Sequence, residues 1–194
     1  MNDQELVNSV LNGDAKAIRE LVDRFQPLVL RTAMGYAGDP EDARDITQEV
    51  LIRVITRLSD FKGRSALSTW VYRISVNHSI SYLKKNRRRK LNRSLSEPSE
   101  DAGNTSPLQV ADPDPAMRPD HGLISQDRSR RLHQAIDSLP AAQRTAFILL
   151  EYEELSYKEI AEVMKLSTSA VESLLFRARR KLQQKLWDCY RNKS

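Results

Sequence analysis

The sequence predicts an all-α protein of two small helical domains joined by a flexible acidic linker, the second domain containing a helix-turn-helix. Three observations predict it. Apolar residues recur at helical spacing through both halves, and no stretch alternates as a half-buried strand would. Six glycines and 6% aromatic residues among 194 argue against a glycine-rich nucleotide-binding sheet or a β-sandwich. Residues 94–127 hold five prolines and almost no aliphatic periodicity, which marks a tether rather than a domain. The length suits one or two modest domains, here residues 1–93 and 128–194.

The elements follow in order. Asn2 or Asp3 can cap a short first helix, which Gly13-Asp14 breaks and restarts. From Ala15, the residues Ile18, Leu21, Val22 and Phe25 share a face, and Pro27 then kinks or resets the chain before Leu28–Tyr36. Gly38-Asp39-Pro40 reads as stop, N-cap and first helical residue. The helix that follows reaches about Leu58, with Ala43, Ile46, Val50 and Val54 inward. After the loop at 60–65, Ser65 or Ser68 can cap a helix running to about Asn86. It carries two apolar faces, one of Leu67, Val71, Ile74 and His78 and another of Val76, Ile80 and Leu83, and so reads as largely buried. Past the linker, Arg128–Ser138 is helical, Pro140 opens a helix through about Leu149, and Ser156–Lys165 and Thr168–Leu186 complete the set.

Charge is segregated behind a net +5. Residues 64–93 carry nine basic and no acidic side chains, residues 94–127 one basic and seven acidic, and residues 128–194 thirteen basic and eight acidic. Two basic regions flanking an acidic one suggest two polyanion contacts separated by a segment that avoids nucleic acid. A single cysteine, Cys189, excludes an intrachain disulfide framework and a cysteine zinc cluster, and fits a reducing compartment. The N-terminus lacks the pattern of a secretion signal, and no apolar run approaches a membrane span. The chain reads as soluble and cytoplasmic.

Two motifs carry chemistry. Residues 155–164 (LSYKEIAEVM) form a capped helix, with Ser156 and Glu159 as a capping box. A four-residue turn, plugged by Leu166, leads to a second helix capped by Thr168. There Val171, Leu174, Leu175 and Ala178 face inward, while Thr168, Ser169, Glu172, Ser173, Phe176, Arg177 and Arg180 face outward or partly so. This is the arrangement whose second helix enters a DNA major groove, with Arg177, Arg179 and Arg180 in reach of phosphates. The first basic block differs in kind. Trp70, Tyr72, Arg73 and Asn77 precede a basic tail that includes Lys84, Lys85, Arg87 and Arg88. Aromatics beside cations suit unpaired bases, which stack while the tail holds phosphates. Trp70 or Tyr72, taken singly, also fits a core position.

In this order, the words DARDITQEV (42–50), FKG (61–63) with STWVYRISVN (68–77), and LSYKEIA (155–161) with FRAR (176–179) resemble a bacterial extracytoplasmic-function (ECF) sigma factor of the sigma-70 family. The resemblance covers nearly the whole chain. It implies that Asp42, Asp45, Gln48 and Glu49 dock on core RNA polymerase, made of its β and β′ subunits among others. It implies that Phe61, Lys62, Trp70, Tyr72, Arg73, Asn77, Lys84, Lys85, Arg87 and Arg88 capture and melt the minus-ten element, a flipped base seated by stacking and edge hydrogen bonds. The outward residues of the last helix would read the minus-thirty-five element. The linker would thread the polymerase's RNA exit path, and an anti-sigma partner, often membrane-bound in the family, would hold the protein inactive.

No catalytic residue, cofactor or metal is expected. Asp39, Asp42, Asp45 and Glu49 could be taken for a metal site, but no histidine or second carboxylate cluster completes one. No phosphate-cradling loop is present. Glu172 and Leu174 stand where many relatives carry basic residues, so either the minus-thirty-five preference is expected to differ from the common family pattern or the contact is expected to be weaker. Lys165 stands where such turns often have glycine. The competing readings are a stand-alone helix-turn-helix regulator of duplex DNA and a phosphoryl-transfer or nuclease enzyme. The aromatic-basic block argues against the former, and the lack of any base, metal shell or nucleophile against the latter.

Overall fold

The computed structural model describes residues 1–96 and 130–191, with the side chains of Arg87, 89–96 and 188–191 outside that description. Among the described residues every regular element is helical. They are α1 (Asp3–Leu11), α2 (Ala15–Ala37), α3 (Pro40–Thr56), a 3-10 turn (Leu58–Asp60), α4 (Leu67–Ser96), α5 (described over 130–137), α6 (Ala141–Glu151), α7 (Tyr157–Met164) and α8 (Thr168–Arg191). The acidic linker lies almost wholly outside the described residues.

Local chemistry starts and stops most of them. Asn2 caps α1 in a capping box with Glu5, and Asp14 caps α2 through Lys16 N. Gly38 ends α2 at φ 70°, a left-handed conformation that favours glycine. Asp39 then accepts from the amides of Glu41 and Asp42 at the head of α3. Pro27 does not reset the chain. It lies exposed within a continuous α2, where the carbonyl it leaves unbonded can be hydrated. Neither Ser65 nor Ser68 caps α4. The Leu67 amide donates to Asp3 Oδ2 at 3.1 Å, and the other oxygen of Asp3 pairs with Arg24 at 2.7 Å, so one carboxylate ties α1, α2 and α4 together. The helix also runs about three turns past the expected Asn86, to Ser96.

The two apolar faces of α4 serve two cores. Leu67 and Val71 close the first with Leu6, Leu21, Phe25, Val29, Ile46, Val50, Val54 and Leu58 from α1–α3 and the 3-10 turn. Tyr72 and Val76 belong to a second core, with Tyr36 of α2 and Ala146, Ile148, Leu149, Ile160, Val171 and Leu175 of α6–α8. A third cluster joins Ala135, Ile136 and Leu139 to Ala178 and Leu182. Full burial of such a side chain is worth about 1.5–3 kcal/mol, so the second core makes α4 a wall common to both halves. Gly35 marks the closest approach there. A Cβ on it would lie 2.7 Å from Ile148 Cγ2, which explains a glycine inside a helix despite a cost of about 0.5–1 kcal/mol relative to alanine.

Candidate nucleic-acid interface

The acidic face stands on α3. Asp45, Gln48 and Glu49 are exposed, whereas Asp42 is half-buried and accepts from the Tyr82 hydroxyl at 2.7 Å. Glu49 Oε2 lies 3.1 Å from Nε2 of buried His78. Burial first, and then the charge of Arg53, hold the His78 imidazole below its ordinary pKa, with Glu49 opposing. Between α3 and α4 runs a groove of about 480 Å³ lined by Asp45, Glu49, Arg53, Asn77, His78 and Lys85, among others. The structure thus brings two residues of the docking set and two of the melting set to one groove.

The remaining minus-ten candidates divide. Phe61 and Trp70 meet edge-on at 5.7 Å between centroids, half-buried against the first core. Lys62 is exposed, its ammonium donating to the Ser59 carbonyl at 3.2 Å. Asn77, Lys84, Lys85 and Arg88 are exposed, and the Arg87 side chain falls outside the described residues. Tyr72 and Arg73 face the other way, towards the second half. The Tyr72 hydroxyl donates to Glu153 at 2.9 Å, and burial, followed by the Glu153 charge, raises its pKa. Arg73 donates to the carbonyls of Glu162 (2.7 Å) and Val163 (3.3 Å) near the end of α7.

In the second half, Ser156 and Glu159 form the expected capping box, and those hydrogen bonds hold the exposed Glu159 carboxyl below its usual range. Val171, Leu175 and Ala178 are buried and Leu174 is half-buried, as the spacing requires. Thr168, Ser169, Glu172, Ser173, Phe176, Arg177, Arg179 and Arg180 are all exposed. Phe176 stands out at 68% exposure. Arg179 is turned back towards Glu151 on α6, at 3.5 Å. Two expectations are corrected. Ser167, not Thr168, caps α8 by accepting from Ala170 N, because the helix starts one residue earlier than that cap would place it. Leu166 is 41% exposed and does not plug the turn, since Ile160, Val163 and Val171 already fill that core.

Lys165 closes α7 at φ 56° and ψ 45°. A side chain in that conformation costs about 1–2 kcal/mol, part of which glycine returns by widening the unfolded ensemble. Lys165→Gly is therefore expected to raise the melting temperature by roughly 1–4 °C. A thermal melt checks this, and a fall would mean that the lysine side chain contributes more than the strain removes.

Sequence reasoning missed Gly35, Glu153 and the Glu49–His78 contact. A glycine within the Leu28–Tyr36 helical pattern was a usable signal for the first. Glu153 had none, being one acid among neighbours in EYEEL. Its carboxylate is fully buried and receives Thr32 (3.0 Å), Tyr72 (2.9 Å) and Arg31 (3.1 Å). Burial pushes its pKa up, and those three partners pull it back.

Among the described residues no cluster of three or more His, Cys, Asp or Glu could hold a metal, and no helix is long and apolar enough to cross a membrane. Residues 21–89 match the family described as Sigma-70 region 2, and residues 129–182 match Sigma-70, region 4. The chain is 34% identical over 188 residues to the RNA polymerase sigma-H factor of Pseudomonas aeruginosa, covering 95% of this chain and 93% of that one. It is 35% identical over 187 residues to the ECF RNA polymerase sigma-E factor of Haemophilus influenzae, covering 96% of each. Its fold is similar to CnrH solved in complex with the cytosolic domain of CnrY, with a TM-score of 0.65, 21% identity and coverage of 96% and 97%. It is also similar to the sigma factor RpoE of Bartonella quintana in complex with the anti-sigma factor NepR, with a TM-score of 0.59, 23% identity and coverage of 89% and 98%. With two matched regions in family order, relatives aligned end to end, and a helix-turn-helix whose outer face is open, this chain belongs to the ECF group of the sigma-70 family of RNA polymerase sigma factors.

Proposed function

We propose that the chain directs core RNA polymerase to a restricted set of promoters, under the control of an anti-sigma factor, and performs no catalytic step itself. The observation that carries this is the pairing, in one chain, of an acidic α3 face sharing a groove with Asn77 and Lys85 and a separate exposed recognition helix. Residues 1–93 are the polymerase-docking and minus-ten unit, 128–194 the minus-thirty-five unit, and 94–127 the tether. Asp42, Asp45, Gln48 and Glu49 meet the polymerase, with the three carboxylates facing arginines. Melting is driven by binding, as Asn77 and nearby aromatics compensate the few kcal/mol of unstacking a base. Glu172 repels phosphate and can accept from cytosine N4, which supports a minus-thirty-five preference of its own. The protein works in the cytoplasm, or at the inner membrane face when a membrane-bound anti-sigma factor holds it.

The test is transcription from genomic DNA of the source organism by core polymerase, with and without this protein, mapping RNA 5′ ends. New starts sharing upstream motifs at one spacing are expected. No new starts, with tight duplex binding by the protein alone, would replace this reading with a stand-alone regulator. On the promoters so found, Arg177→Ala is expected to weaken upstream-element binding and to lower the salt slope by about one unit. An unchanged slope in binding titrations across salt would remove Arg177 from the contact.

A further inference from the structure

We infer that Asp3, in the first turn of α1, is a positioning residue for the loop of residues 61–66, holding Phe61 and Lys62 where base capture needs them without itself touching DNA. This rests on the function proposed above, in which that loop belongs to the minus-ten site.

The loop joins the 3-10 turn to α4, and its own hydrogen bonds are local. Phe61 N donates to the Leu58 carbonyl at 3.1 Å and the Lys62 ammonium to the Ser59 carbonyl at 3.2 Å. These fix its entry but not its exit. Lys62, Gly63 and Arg64 form an exposed tip. Phe61 before the tip and Trp70 beyond it meet edge-on at 5.7 Å, so a shift of the head of α4 would part the two rings.

The exit is held from α1. The Leu67 amide is one of the first amides of a helix, which have no partner inside it, and it donates to Asp3 Oδ2 at 3.1 Å. A carboxylate there also complements the positive end of α4. Gln4, the next residue, lies against the tip, its Oε1 3.7 Å from where a Cβ on Gly63 would stand. α1 packs on the 3-10 turn as well, and so meets the loop's approach, its middle and its exit. The helix is a firm support, with Leu6, Val7 and Val10 buried and a capping box at its start. The second oxygen of Asp3 pairs with Arg24 at 2.7 Å. A surface ion pair adds little stability. Its use here is directional, since it turns the other oxygen to Leu67. A binding constellation works only when held within about 0.5 Å of its productive geometry, and this brace supplies that hold.

The test uses the full chain. Asp3→Ala removes both contacts, Asp3→Asn keeps an acceptor for the Leu67 amide but gives up the charge, and Arg24→Ala gives up the ion pair alone. Asp3→Ala is expected to slow promoter opening about tenfold, as a misplaced site does, and to leave core affinity within about twofold because the acidic face of α3 is untouched. Asp3→Asn and Arg24→Ala are expected to open promoters within about twofold of the parent rate, whatever their melting temperatures. A merely structural role would instead slow all three in step with the stability lost. Replacing the Leu67 amide by an ester, through the corresponding α-hydroxy acid, deletes the donor with every side chain in place. It is expected to match Asp3→Ala, and it decides the matter should Asp3→Ala not fold. Opening at the parent rate in Asp3→Ala or in the ester overturns the proposal, as does Asp3→Asn opening as slowly as Asp3→Ala. In a Trp187→Phe background Trp70 is the sole tryptophan. Its quenching by acrylamide in the free protein is expected to rise in Asp3→Ala and to stay at the parent level in Asp3→Asn; no rise also overturns the proposal. The quenching needs neither polymerase nor promoter, so it reports on the brace even where transcription rejects the sigma role.

Discussion

Asp45→Ala combined with Glu49→Ala is expected to weaken binding to core RNA polymerase by about tenfold to a hundredfold, or roughly 1.4–2.8 kcal/mol, while leaving the melting temperature within experimental scatter. Both residues are exposed on α3 one turn apart, and Asp45 and Gln48 sit beside Glu49 on the same face. Loss of one partner from a hydrogen-bonded charge pair at an interface costs a few kcal/mol, because the other charge is left unpaired. Among the described residues the hydrogen-bond-length contact given up is that of Glu49 to His78, whose imidazole burial holds below its ordinary pKa. Alanine also has the higher helix propensity, so α3 is not weakened. Titration of labelled protein with core enzyme, alongside a thermal melt, separates the two effects. Unchanged affinity would remove this face from the polymerase contact, and a large drop in melting temperature would make it a folding element.

Asn77→Ala is expected to slow promoter opening about tenfold or more while leaving closed binding nearly intact. Asn77 is exposed on the wall of the groove that also holds Lys85, so its amide is free to meet a base edge while the lysine meets phosphate. A good bidentate contact to a base is worth about 1–3 kcal/mol, and here it is formed only once the base has left the stack. The loss should therefore fall on the melting step. Fluorescence of a base analogue in the minus-ten element gives the opening rate, and a pre-melted template gives the control. Equal loss of binding on intact and pre-melted DNA would mean that Asn77 contacts duplex rather than a flipped base.

Much of the fold was legible because its punctuation is local. Asp14, Asp39 with Pro40, and Ser156 with Glu159 each cap the helix they precede, through groups two or three residues apart. The start of α4 was not legible, since its cap comes from Asp3, sixty-four residues away. Pro27 was read as a kink or a reset because its effect depends on whether the freed carbonyl meets water, which only packing decides. The two apolar faces of α4 were visible as periodicity, but periodicity does not say what covers a face. The outer surface of α8 was legible down to single residues, as a helix with one buried stripe leaves no choice for the rest. Tyr72 was the hard case. An aromatic beside cations suits a stacked base and a core equally, and what turns it inward is a carboxylate 81 residues on.

The shared wall also sets a timetable for synthesis. Chains emerge from the ribosome at about 5–20 residues per second. Residues 1–96 hold the whole first core and the whole of α4, and can be packed before Ile148 or Glu153 exists. For the several seconds needed to add the next 57 residues or so, the face of Val76, Ile80 and Leu83 is bare and Tyr72 has no carboxylate to donate to. During that interval the nascent chain already carries the exposed α3 face of Asp45, Gln48 and Glu49, while the second-core side of α4 has nothing packed on it. Each newly made molecule thus passes once through a stage in which one apolar face of α4 is uncovered, and how fast its second half arrives decides how long that stage lasts.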